Sequence, residues 1–438
     1  MKRFLKILLL KASSGDAQAQ FDLGLMYYEG AGVEQDYVQA RRWLEKSATQ
    51  GNTMAQTNLG AMCADGLGGR QDYVQARAWY EQAAALGDAM AQHNLGVMYA
   101  EGSGVSQDYA QARYWYEKAA VQGNVLAQNN LGAMYYKGQG VQQDFVQARY
   151  WYEKAAAQEA EGKGVPQYNL GAMYRDGQGV QQDYVQARAW YEQAAVRGHV
   201  LAQYNLAVLY ANGQGGQRDY VQAEYWFEQA AEQGDAQAQY SLGVMYDNGL
   251  VGQQYYARMY VNDYERARLW YEKSAEQGNA DAQFSLGLMY YKGEGVEQDY
   301  AQARYWLEKS AAQGNVKAQV NLGTMYASGE GVRQNYAKAR SWYEKAAAQG
   351  DARAQNSLGV LYAAGQGVPQ DYAQARRWWE QAAEQGNAQA QCNLGMLYEN
   401  GDGVRQDKRV AKMWYGKACD AGYPPGCDAY WMLDEAGW

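Results

Sequence analysis

The chain has 438 residues and a net charge of −9, and it contains only four prolines beside 50 glycines. Its lysines and arginines do not gather in runs, so the acidic balance argues against nucleic acids and anionic membranes as main partners. The longest apolar stretch, Phe4–Leu10, is broken by Lys6 and is far shorter than the roughly 20 residues that span a bilayer. The scarcity of proline favours an all-helical chain.

The N-terminal segment, residues 1–14, has two interpretations. Met1-Lys2-Arg3 and Ala17-Gln18-Ala19 resemble the charged start and the cleavage site of a secretory signal peptide. However, Ala-Gln opens each later repeat, and Phe4–Ser14 aligns with Ala40–Gln50 of the repeat described next. We therefore favour an N-terminal half-repeat helix and a cytoplasmic protein, with a periplasmic or secreted protein as the alternative.

A 36-residue period runs through nearly the whole chain. The pattern of Gly15–Gln50 returns in register through Gly386–Ala421, which gives eleven copies, two of them disturbed by insertions. Repeats of this length are stacked units that are too small to bury a core alone. The period therefore predicts a solenoid rather than globular domains of about 150 residues each.

The first half of a copy, Asp16–Glu29, predicts a helix. Its apolar residues recur at the spacing of one helical face, with Ala19 and Leu23 as its first members. Asp16 is a suitable N-cap residue, and Gly30 has the place of a glycine that ends a helix.

The second half of a copy predicts another helix, which begins at Asp36. Asp36 and Gln39 have the spacing of a capping box. Trp43 recurs in all eleven copies on the apolar face of this helix. Gly24 and Ala40 are small enough to let the two helices approach beside this ring. We expect the ring to be buried, so that Trp→Ala costs about 3–5 kcal/mol.

The pattern A-x-x-x-L-G-x-x-Y-x-x-G-x-G-V-x-x-D-x-x-x-A-x-x-W-x-x-x-A-A resembles the Sel-1-like repeat family, which is related to the tetratricopeptide repeats. The matching residues of the first copy are Ala19, Leu23, Gly24, Tyr27, Gly30, Gly32, Val33, Asp36, Ala40, Trp43 and Ala48. The resemblance covers nearly the whole chain. It implies an all-α, right-handed superhelical solenoid of antiparallel helix pairs, with the first helices on the concave side. Members usually act as adaptors or scaffolds for protein partners, and some bacterial members are immunity proteins.

The repeat pattern divides the chain into three parts. An N-terminal half-repeat helix occupies 1–14, eleven repeats occupy 15–421, and a capping segment occupies 422–438. The last helix is expected at Cys427–Glu435, after Pro424-Pro425. Insertions fall at 159–161 and within 249–263.

Binding residues are expected where the copies differ, because the constant positions are occupied by packing. The position of Phe21, which the tetratricopeptide geometry places on the concave face, holds aromatic residues in repeats five to eight. These four residues are Tyr168, Tyr204, Tyr240 and Phe284. Aromatic anchors in a groove are typical binding hot spots, so we predict that they contact a partner. The alternative is that the rings only complete the packing between neighbouring first helices.

The inserted loop of repeat seven, 249–263, is a second candidate contact. It includes Tyr255, Tyr256, Arg258, Met259 and Tyr260. Aromatic residues, methionine and arginine are enriched in protein interfaces. The alternative is a surface insertion, which loops tolerate at little cost.

The other irregular segment precedes repeat five. Glu159-Ala160-Glu161 is extra, and Pro166 then falls at the expected start of the next first helix. Proline fits only the first turn of a helix. We therefore predict a longer preceding helix and a shortened first helix in repeat five.

The chain offers little catalytic or metal-binding chemistry. His93 and His199 lie in different repeats, which argues against a histidine-based zinc site. No nucleophile–base pair is visible, so we expect neither an enzyme nor a cofactor. Arg41 and Glu45 have the spacing of an exposed ion pair worth a few tenths of a kcal/mol. Gln20 recurs in all eleven copies, where we predict a structural hydrogen bond at the repeat junction.

Cys419 and Cys427 lie at the end of one predicted helix and the start of the next. This segment resembles the cysteine-rich bacterial branch of the same family, in which such pairs bridge adjacent helices. There the pair is present in most repeats, whereas here it is present once. The resemblance implies a disulfide that closes the C-terminal cap in an oxidising compartment. Two reduced thiols in a cytosolic protein are the alternative.

These features predict a non-enzymatic scaffold or adaptor that holds a protein or peptide partner in its concave groove. An immunity protein that neutralises a toxic effector is the alternative. A hydrolase related to the cysteine-rich branch is less favoured.

Overall fold

The computed structural model describes residues 2–158, 162–250 and 260–438, and every regular element among them is an α-helix. The helices form two compact units, unit 1 (Met1–Trp226) and unit 2 (Phe227–Trp438). Unit 1 contains α1 (Lys2–Ser13), α2 (Ala17–Glu29), α3 (Tyr37–Ala48), α4 (Thr53–Asp65), α5 (Tyr73–Ala85), α6 (Ala89–Glu101), α7 (Tyr109–Val121), α8 (Val125–Lys137), α9 (Phe145–Gln158), α10 (Val165–Asp176), α11 (Tyr184–Ala195) and α12 (Val200–Asn212). The boundary falls within α13 (Tyr220–Glu232). Unit 2 contains α14 (Ala236–Asp247), α15 (Tyr260–Glu276), α16 (Ala280–Lys292), α17 (Tyr300–Ala312), α18 (Val316–Ser328), α19 (Tyr336–Ala348), α20 (Ala352–Ala364), α21 (Tyr372–Glu384), α22 (Ala388–Asn400), α23 (Lys408–Asp420) and α24 (Pro424–Glu435).

Within each unit the helices pack in the order of the chain. The first helix of a repeat packs against the second helix of the same repeat, and that second helix packs against the first helix of the next. The all-helical solenoid of helix pairs predicted from the period is therefore confirmed.

The predicted caps determine where the first helices begin and end. The side chain of Asp16 accepts a hydrogen bond of 2.8 Å from the backbone N–H of Ala19. Gly30 has a φ of 72°, a left-handed conformation that favours glycine, and its N–H donates to the carbonyl of Met26. Helix α2 therefore has a defined start and a sharp end, and most other first helices have the same two caps, with α10 lacking a side-chain N-cap bond and α14 ending at Asn248.

The second helices begin at an aspartate cap that differs from the predicted capping box. The Asp36 side chain accepts from the backbone N–H groups of Val38 and Gln39, as expected. The Asp36 N–H, however, donates to the carbonyl of Tyr27 at 2.9 Å instead of to Gln39. This bond ties the start of the second helix to the end of the first, and the loop between the two is therefore fixed.

The core of each repeat lies one residue beyond the predicted tryptophan. Trp43 and its counterparts are half-buried, except for the buried Trp226, whereas Leu44 and its counterparts are buried. The conserved glycine of the first helix makes room for this next residue: a Cβ at Gly24 would lie 2.7 Å from Leu44 Cγ. The expectation that the Trp43 ring is buried was wrong: the ring is half-buried, and the Lys46 ammonium lies 4.2 Å from its centroid.

The glutamine that recurs in every copy makes a structural bond at the repeat junction, as predicted. Gln20 Nε2 donates to the carbonyl of Ala12 at 2.9 Å, and Gln56 Nε2 donates to the carbonyl of Ala48 at 3.1 Å. The same glutamine position in repeat five, Gln167, donates to a carbonyl of the preceding helix. Where it forms, this bond gives a carbonyl near the end of the preceding helix a buried partner.

Exposed ion pairs follow the second helices, as the Arg41 and Glu45 spacing predicts for the counterparts of that pair. In the part of the chain that the structure describes, seven such pairs join residues i and i+4: Arg77–Glu81, Arg113–Glu117, Arg149–Glu153, Arg268–Glu272, Arg304–Glu308, Arg340–Glu344 and Arg376–Glu380. Each pair lies at the surface, so its contribution to stability is small.

Two arginines in unit 1 adopt other positions. Arg41 donates to Gln75 Oε1 at 3.1 Å, and the Arg188 guanidinium lies 3.5 Å from the centroid of the Tyr210 ring. Arg41 lies beside Gly69, and Arg188 lies beside Gly216. The two glycines occupy the loop position that holds valine in the regular copies. A Cβ at Gly216 would lie 2.6 Å from Arg188 Nη1, so the guanidinium occupies space that a larger loop residue would need.

The irregular segments change the helix ends by one to three residues. Helix α10 has 12 residues where α8 and α12 have 13, and it begins after Gly164 with Pro166 in its first turn. The preceding helix, α9, has 14 residues and runs to Gln158. The last helix begins at Pro424 rather than at the predicted Cys427, because both prolines fit its first turn.

Candidate functional site

The four candidate aromatics lie on first helices, two in each unit. Tyr168 and Tyr204 belong to unit 1, and Tyr240 and Phe284 belong to unit 2. All four side chains are half-buried. The residues at the same repeat position that are buried are Phe21, Thr57, His93, Val320, Asn356 and Cys392. The aromatic residues of repeats five to eight are therefore less buried than six of the seven other residues at this position.

Tyr168 in unit 1 is held by two other rings. It stacks on His199 with a centroid distance of 4.5 Å and an interplanar angle of 16°, and its centroid lies 5.8 Å from that of Tyr191. Burial lowers the pKa of His199, so the imidazole is neutral at pH 7. The Tyr168 ring is thus fixed before any partner arrives.

In unit 2 the candidate rings are also packed on one side. The Tyr240 centroid lies 5.9 Å from that of Tyr271. Burial, together with the nearby Asp281 carboxylate, raises the pKa of Tyr240, so its hydroxyl stays protonated and can donate a hydrogen bond. Phe284 packs against a buried cluster that includes Leu307 and Leu322. These rings contribute to the packing of their repeats and still leave part of their surface exposed.

Of the five residues predicted in the inserted loop, one lies within the described residues. Tyr255, Tyr256, Arg258 and Met259 lie outside the described residues, and Tyr260 is the first residue of α15.

Unit 1 has a second distinctive surface position, which was not predicted from the sequence. The position of Gln18, in the first turn of each first helix, holds exposed apolar side chains in five successive repeats. We call these five residues the apolar stripe: Met54 (49 % exposed), Met90 (44 %), Leu126 (53 %), Val165 (39 %) and Leu201 (48 %). The same position in unit 2 holds only polar or charged residues: Gln237, Asp281, Lys317, Arg353 and Gln389.

The surface beside the apolar stripe is acidic in the first three repeats. Helices α2, α4 and α6 contain no lysine or arginine. Each of them ends in an exposed carboxylate, and we call these three residues the acidic edge: Glu29, Asp65 and Glu101. The partial negative charge at a helix C-terminus has the same sign, so this edge attracts cations.

The later repeats of unit 1 have a different charge. Helix α8 ends in Lys137, and in α10 Arg175 pairs with the adjacent Asp176 at 2.7 Å. Among the first helices of unit 1, carboxylates without a cationic side chain on the same helix are therefore confined to α2, α4 and α6.

His93 is a buried residue of α6 and is held by two amide side chains. Its Nδ1 lies 3.1 Å from Asn94 Oδ1, and its Nε2 lies 3.2 Å from Asn130 Nδ2. Burial lowers its pKa, so the ring is neutral at pH 7. Both ring nitrogens are occupied by amides, which gives the histidine a structural role.

The cysteines fall into two groups. The structure joins Cys419, at the end of α23, to Cys427, in α24, by a disulfide with a Cα–Cα distance of 4.4 Å. Cys63 and Cys392 are free and buried, and Arg41 Nη2 donates to Cys63 Sγ at 3.3 Å. Burial raises the pKa of the Cys63 thiol, which disfavours the reactive thiolate.

The described part of the chain shows neither a metal-binding cluster nor a membrane-spanning helix. Across residues 2–158, 162–250 and 260–438, no group of three His, Cys, Asp or Glu side chains could hold a metal ion. Over the same ranges, no helix combines the length and the apolar character that crossing a membrane requires.

The geometry defines a repeat protein of packed helix pairs whose distinctive residues are exposed apolar and aromatic side chains. The Sel1 repeat family matches eleven segments of the chain: 17–52, 53–88, 89–124, 125–159, 167–199, 200–235, 236–279, 280–315, 316–351, 352–387 and 388–423. The chain therefore belongs to the Sel1 repeat family, as its sequence pattern predicts. Solenoids of this repeat are typically scaffolds for protein–protein interaction.

Two solved structures, of an Escherichia coli antigen and an Oxalobacter formigenes protein, support this assignment. The chain is 41 % identical to a protective antigen present in uropathogenic Escherichia coli strains, which displays an SLR fold, over 99 % of this chain and 90 % of that chain, with a TM-score of 0.84. It is 34 % identical to a Sel1 repeat protein from Oxalobacter formigenes, over 74 % of this chain and 90 % of that chain, with a TM-score of 0.54. An immunity protein from Pseudomonas aeruginosa is 21 % identical over 60 % of this chain and 83 % of that chain, with a TM-score of 0.32. No curated protein matches the chain.

Proposed function

We propose that this protein is a non-enzymatic scaffold that binds a segment of a protein partner on the surface of its first helices. The observation that supports this most strongly is the set of half-buried aromatic rings at one first-helix position. Several other repeats fill the same position with a buried residue, so the packing of the repeat does not require an exposed ring.

The fixed position of Tyr168 explains why such a ring suits binding. Its contacts with His199 and Tyr191 restrict the ring in the free protein. A partner that packs on the exposed part then loses little conformational entropy from this side chain. Rigid aromatic side chains of this kind are frequent hot spots in protein interfaces.

In unit 2, Tyr240 and Phe284 provide the corresponding contacts. The inserted loop is proposed to assist them through Tyr255, Tyr256, Arg258, Met259 and Tyr260, on the basis of its composition.

The compartment of the protein depends on the cysteine pair of the C-terminal cap. The N-terminal sequence favours the cytoplasm, whereas a bridge between Cys419 and Cys427 favours an oxidising compartment. Mass spectrometry after thiol alkylation of protein isolated from its native source separates the two. Alkylation of both residues without prior reduction indicates reduced thiols and a cytoplasmic protein.

The scaffold function is tested by affinity capture from the native organism with the full chain as bait. Two variants remove the candidate rings of one unit each, Tyr168→Ala/Tyr204→Ala and Tyr240→Ala/Phe284→Ala. The control, Tyr114→Ala/Tyr150→Ala, removes two exposed rings from second helices of unit 1. We expect quantitative mass spectrometry to show partners that are lost in a first-helix variant and retained in the control.

The outcome also separates the classes of function. Capture of the same proteins by all three variants would contradict binding by these rings. A toxic effector among the lost partners would identify an immunity protein.

A further inference from the structure

The apolar stripe of unit 1 is not explained by the stability of the repeat. The first helices of unit 2 carry polar or charged residues at this repeat position, and they keep the same caps and the same buried positions. An N-terminal cap such as Asn52 satisfies the backbone of the helix start whatever residue follows. Five exposed apolar side chains in successive repeats therefore indicate a contact with another molecule.

The spacing of the stripe suits a helix better than an extended segment. Within unit 1, α6 and α8 lie side by side, and packed helices are about 8–10 Å apart. Seven residues of a helix rise about 10.5 Å, so residues i, i+7 and i+14 of a helix lying across the first helices would each meet one member of the stripe. Residues on one face of an extended segment recur every ~7 Å and would fall out of step.

The charge beside the stripe indicates which charged residues a bound helix should carry opposite its apolar face. The acidic edge lies eleven residues beyond the repeat position of the stripe, which is about 16 Å along a helix, and in α2 that position holds Gln18. The side chains of Asp22 and Asp88 add negative charge closer to the stripe. Because α2, α4 and α6 contain no cationic side chain, a basic partner is attracted to this surface and an acidic one is repelled.

We infer that this surface of unit 1 binds an amphipathic helix of a protein partner, with the apolar face of that helix on the stripe and its basic residues toward the acidic edge. This inference rests on the proposed scaffold function and specifies the chemistry of the partner segment. The basic residues lie over repeats one to three, where the carboxylates are. The other end of the helix extends toward Tyr168 and Tyr204, whose half-buried rings lie three residues after Val165 and Leu201 on the same helices.

A defined peptide tests the inference without knowledge of the native partner. The probe is a fluorescent three-heptad peptide with leucine on one helical face and lysine on the other. A second peptide has glutamate in place of every lysine. Fluorescence anisotropy with the full chain measures the Kd of each, and we expect the lysine peptide to bind at least roughly tenfold more tightly.

Two matched double variants locate the binding surface. Met90→Gln/Leu126→Gln removes two central members of the stripe, and we expect the Kd for the lysine peptide to rise roughly tenfold or more. Lys317→Gln/Arg353→Gln changes the same repeat position in unit 2, and we expect it to leave the Kd within about twofold. All four residues are exposed, so circular dichroism and melting should be unchanged.

A third variant tests the role of charge. Glu29→Gln/Asp65→Asn/Glu101→Gln removes the acidic edge. We expect a several-fold rise in Kd at low salt and a weaker dependence of the Kd on salt concentration.

The results distinguish failure of this inference from failure of the proposed function. Equal binding of the two peptides, or an unchanged Kd in the stripe variant, overturns the amphipathic basic helix as the partner. Failure of both peptides to bind overturns it as well, but the proposed function stands if the native partners are still lost in a first-helix variant. Retention of every native partner by the first-helix variants contradicts the proposed function, whatever the peptides do.

Discussion

Unit 1 and unit 2 are built from the same repeat but present different surfaces. The positions that bury side chains are alike, as Leu131 in α8 and Leu322 in α18 illustrate, both with no exposed surface. The first-turn position beside them is apolar and exposed in unit 1, with Leu126, and charged in unit 2, with Lys317. Few positions of the repeat are therefore needed for the fold, and the others are free to acquire different functions.

The second helices show the same contrast. Their second residue is an exposed valine in most repeats of unit 1, such as Val74 and Val185. In unit 2 the corresponding residues include Ala301, Ala337 and Ala373. At these two repeat positions unit 1 thus exposes larger apolar side chains than unit 2, which makes unit 1 the better candidate for a protein contact.

The largest expected effect tests whether the two units bury the same core position beside the glycine of the first helix. Tyr191 and Tyr271 are almost fully buried against Gly171 and Gly243 in their respective units. We expect Tyr191→Ala and Tyr271→Ala each to lower the free energy of unfolding by about 3–5 kcal/mol. Urea unfolding followed by circular dichroism measures both.

The control for this pair is the neighbouring tryptophan. Trp190→Ala and Trp270→Ala remove half-buried rings and should each cost less than the tyrosine variant beside them. A tryptophan variant that costs as much as its tyrosine neighbour would show that the core position has been placed wrongly.

The second effect concerns the disulfide, which lies in unit 2. The Cys419–Cys427 bridge closes a segment with a sequence separation of eight residues, so its removal should cost about 2–3 kcal/mol. We expect the Cys419→Ser/Cys427→Ser variant to show faster hydrogen exchange in α24. A reductant should reproduce this change in the wild-type protein and have no further effect on the variant. Slow exchange of α24 in both would argue against a stabilising bridge.

The third effect belongs to unit 1 and depends on pH. Burial holds the pKa of His93 below its ordinary value of 6.5, so the unfolded chain binds the proton more readily. The stability that the neutral ring contributes is present above pH ~6.5 and is lost as the pH falls through the folded pKa. Between about pH 7.5 and 5.5, the wild-type protein should lose up to about 1 kcal/mol more than His93→Asn.

Asparagine is the matched replacement for His93 because Asn129 and Asn356 occupy the same repeat position. The measurement is urea unfolding of both proteins at each pH. Identical pH dependence of the two would mean that His93 does not titrate with unfolding.

The smallest effect tests why Arg41 leaves its expected partner. Gly69→Val fills the space beside the Arg41 guanidinium and should return this side chain to Glu45, with a change of a few tenths of a kcal/mol. A crystal structure of the variant shows the outcome directly. Gly216→Val, beside Arg188, is the second instance. An Arg41 side chain that still contacts Gln75 in the variant would rule out the loop residue as the cause.

The fold could be predicted from the sequence because its determinants recur in every copy. Asp16, Gly30 and Gln20 each act through the nearest backbone groups, so their roles follow from spacing alone. The burial of Leu44 rather than Trp43 could not be predicted, because it depends on the angle at which the two helices meet. The first half of the Asp36 cap was predictable, but the bond from its N–H to Tyr27 required the path of the loop.

The candidate site was predictable only in part. Tyr168 and the other aromatics stand out because they are large and consecutive in the repeat alignment. The apolar stripe uses methionine, leucine and valine, which look like core residues until the structure shows that Leu126 and Met54 are about half exposed. The signal was present in the alignment as the change from apolar to charged at one position between Leu201 and Asp281.

The central claim is that the first-helix surface of unit 1 is where a partner binds. Hydrogen–deuterium exchange of the full chain, with and without the lysine peptide at a saturating concentration, tests it most directly. Binding at this surface predicts slower exchange in the first turns of α4, α6 and α8, and unchanged exchange in α16, α18 and α20 of unit 2. Protection confined to the second helices, or to unit 2, would contradict it.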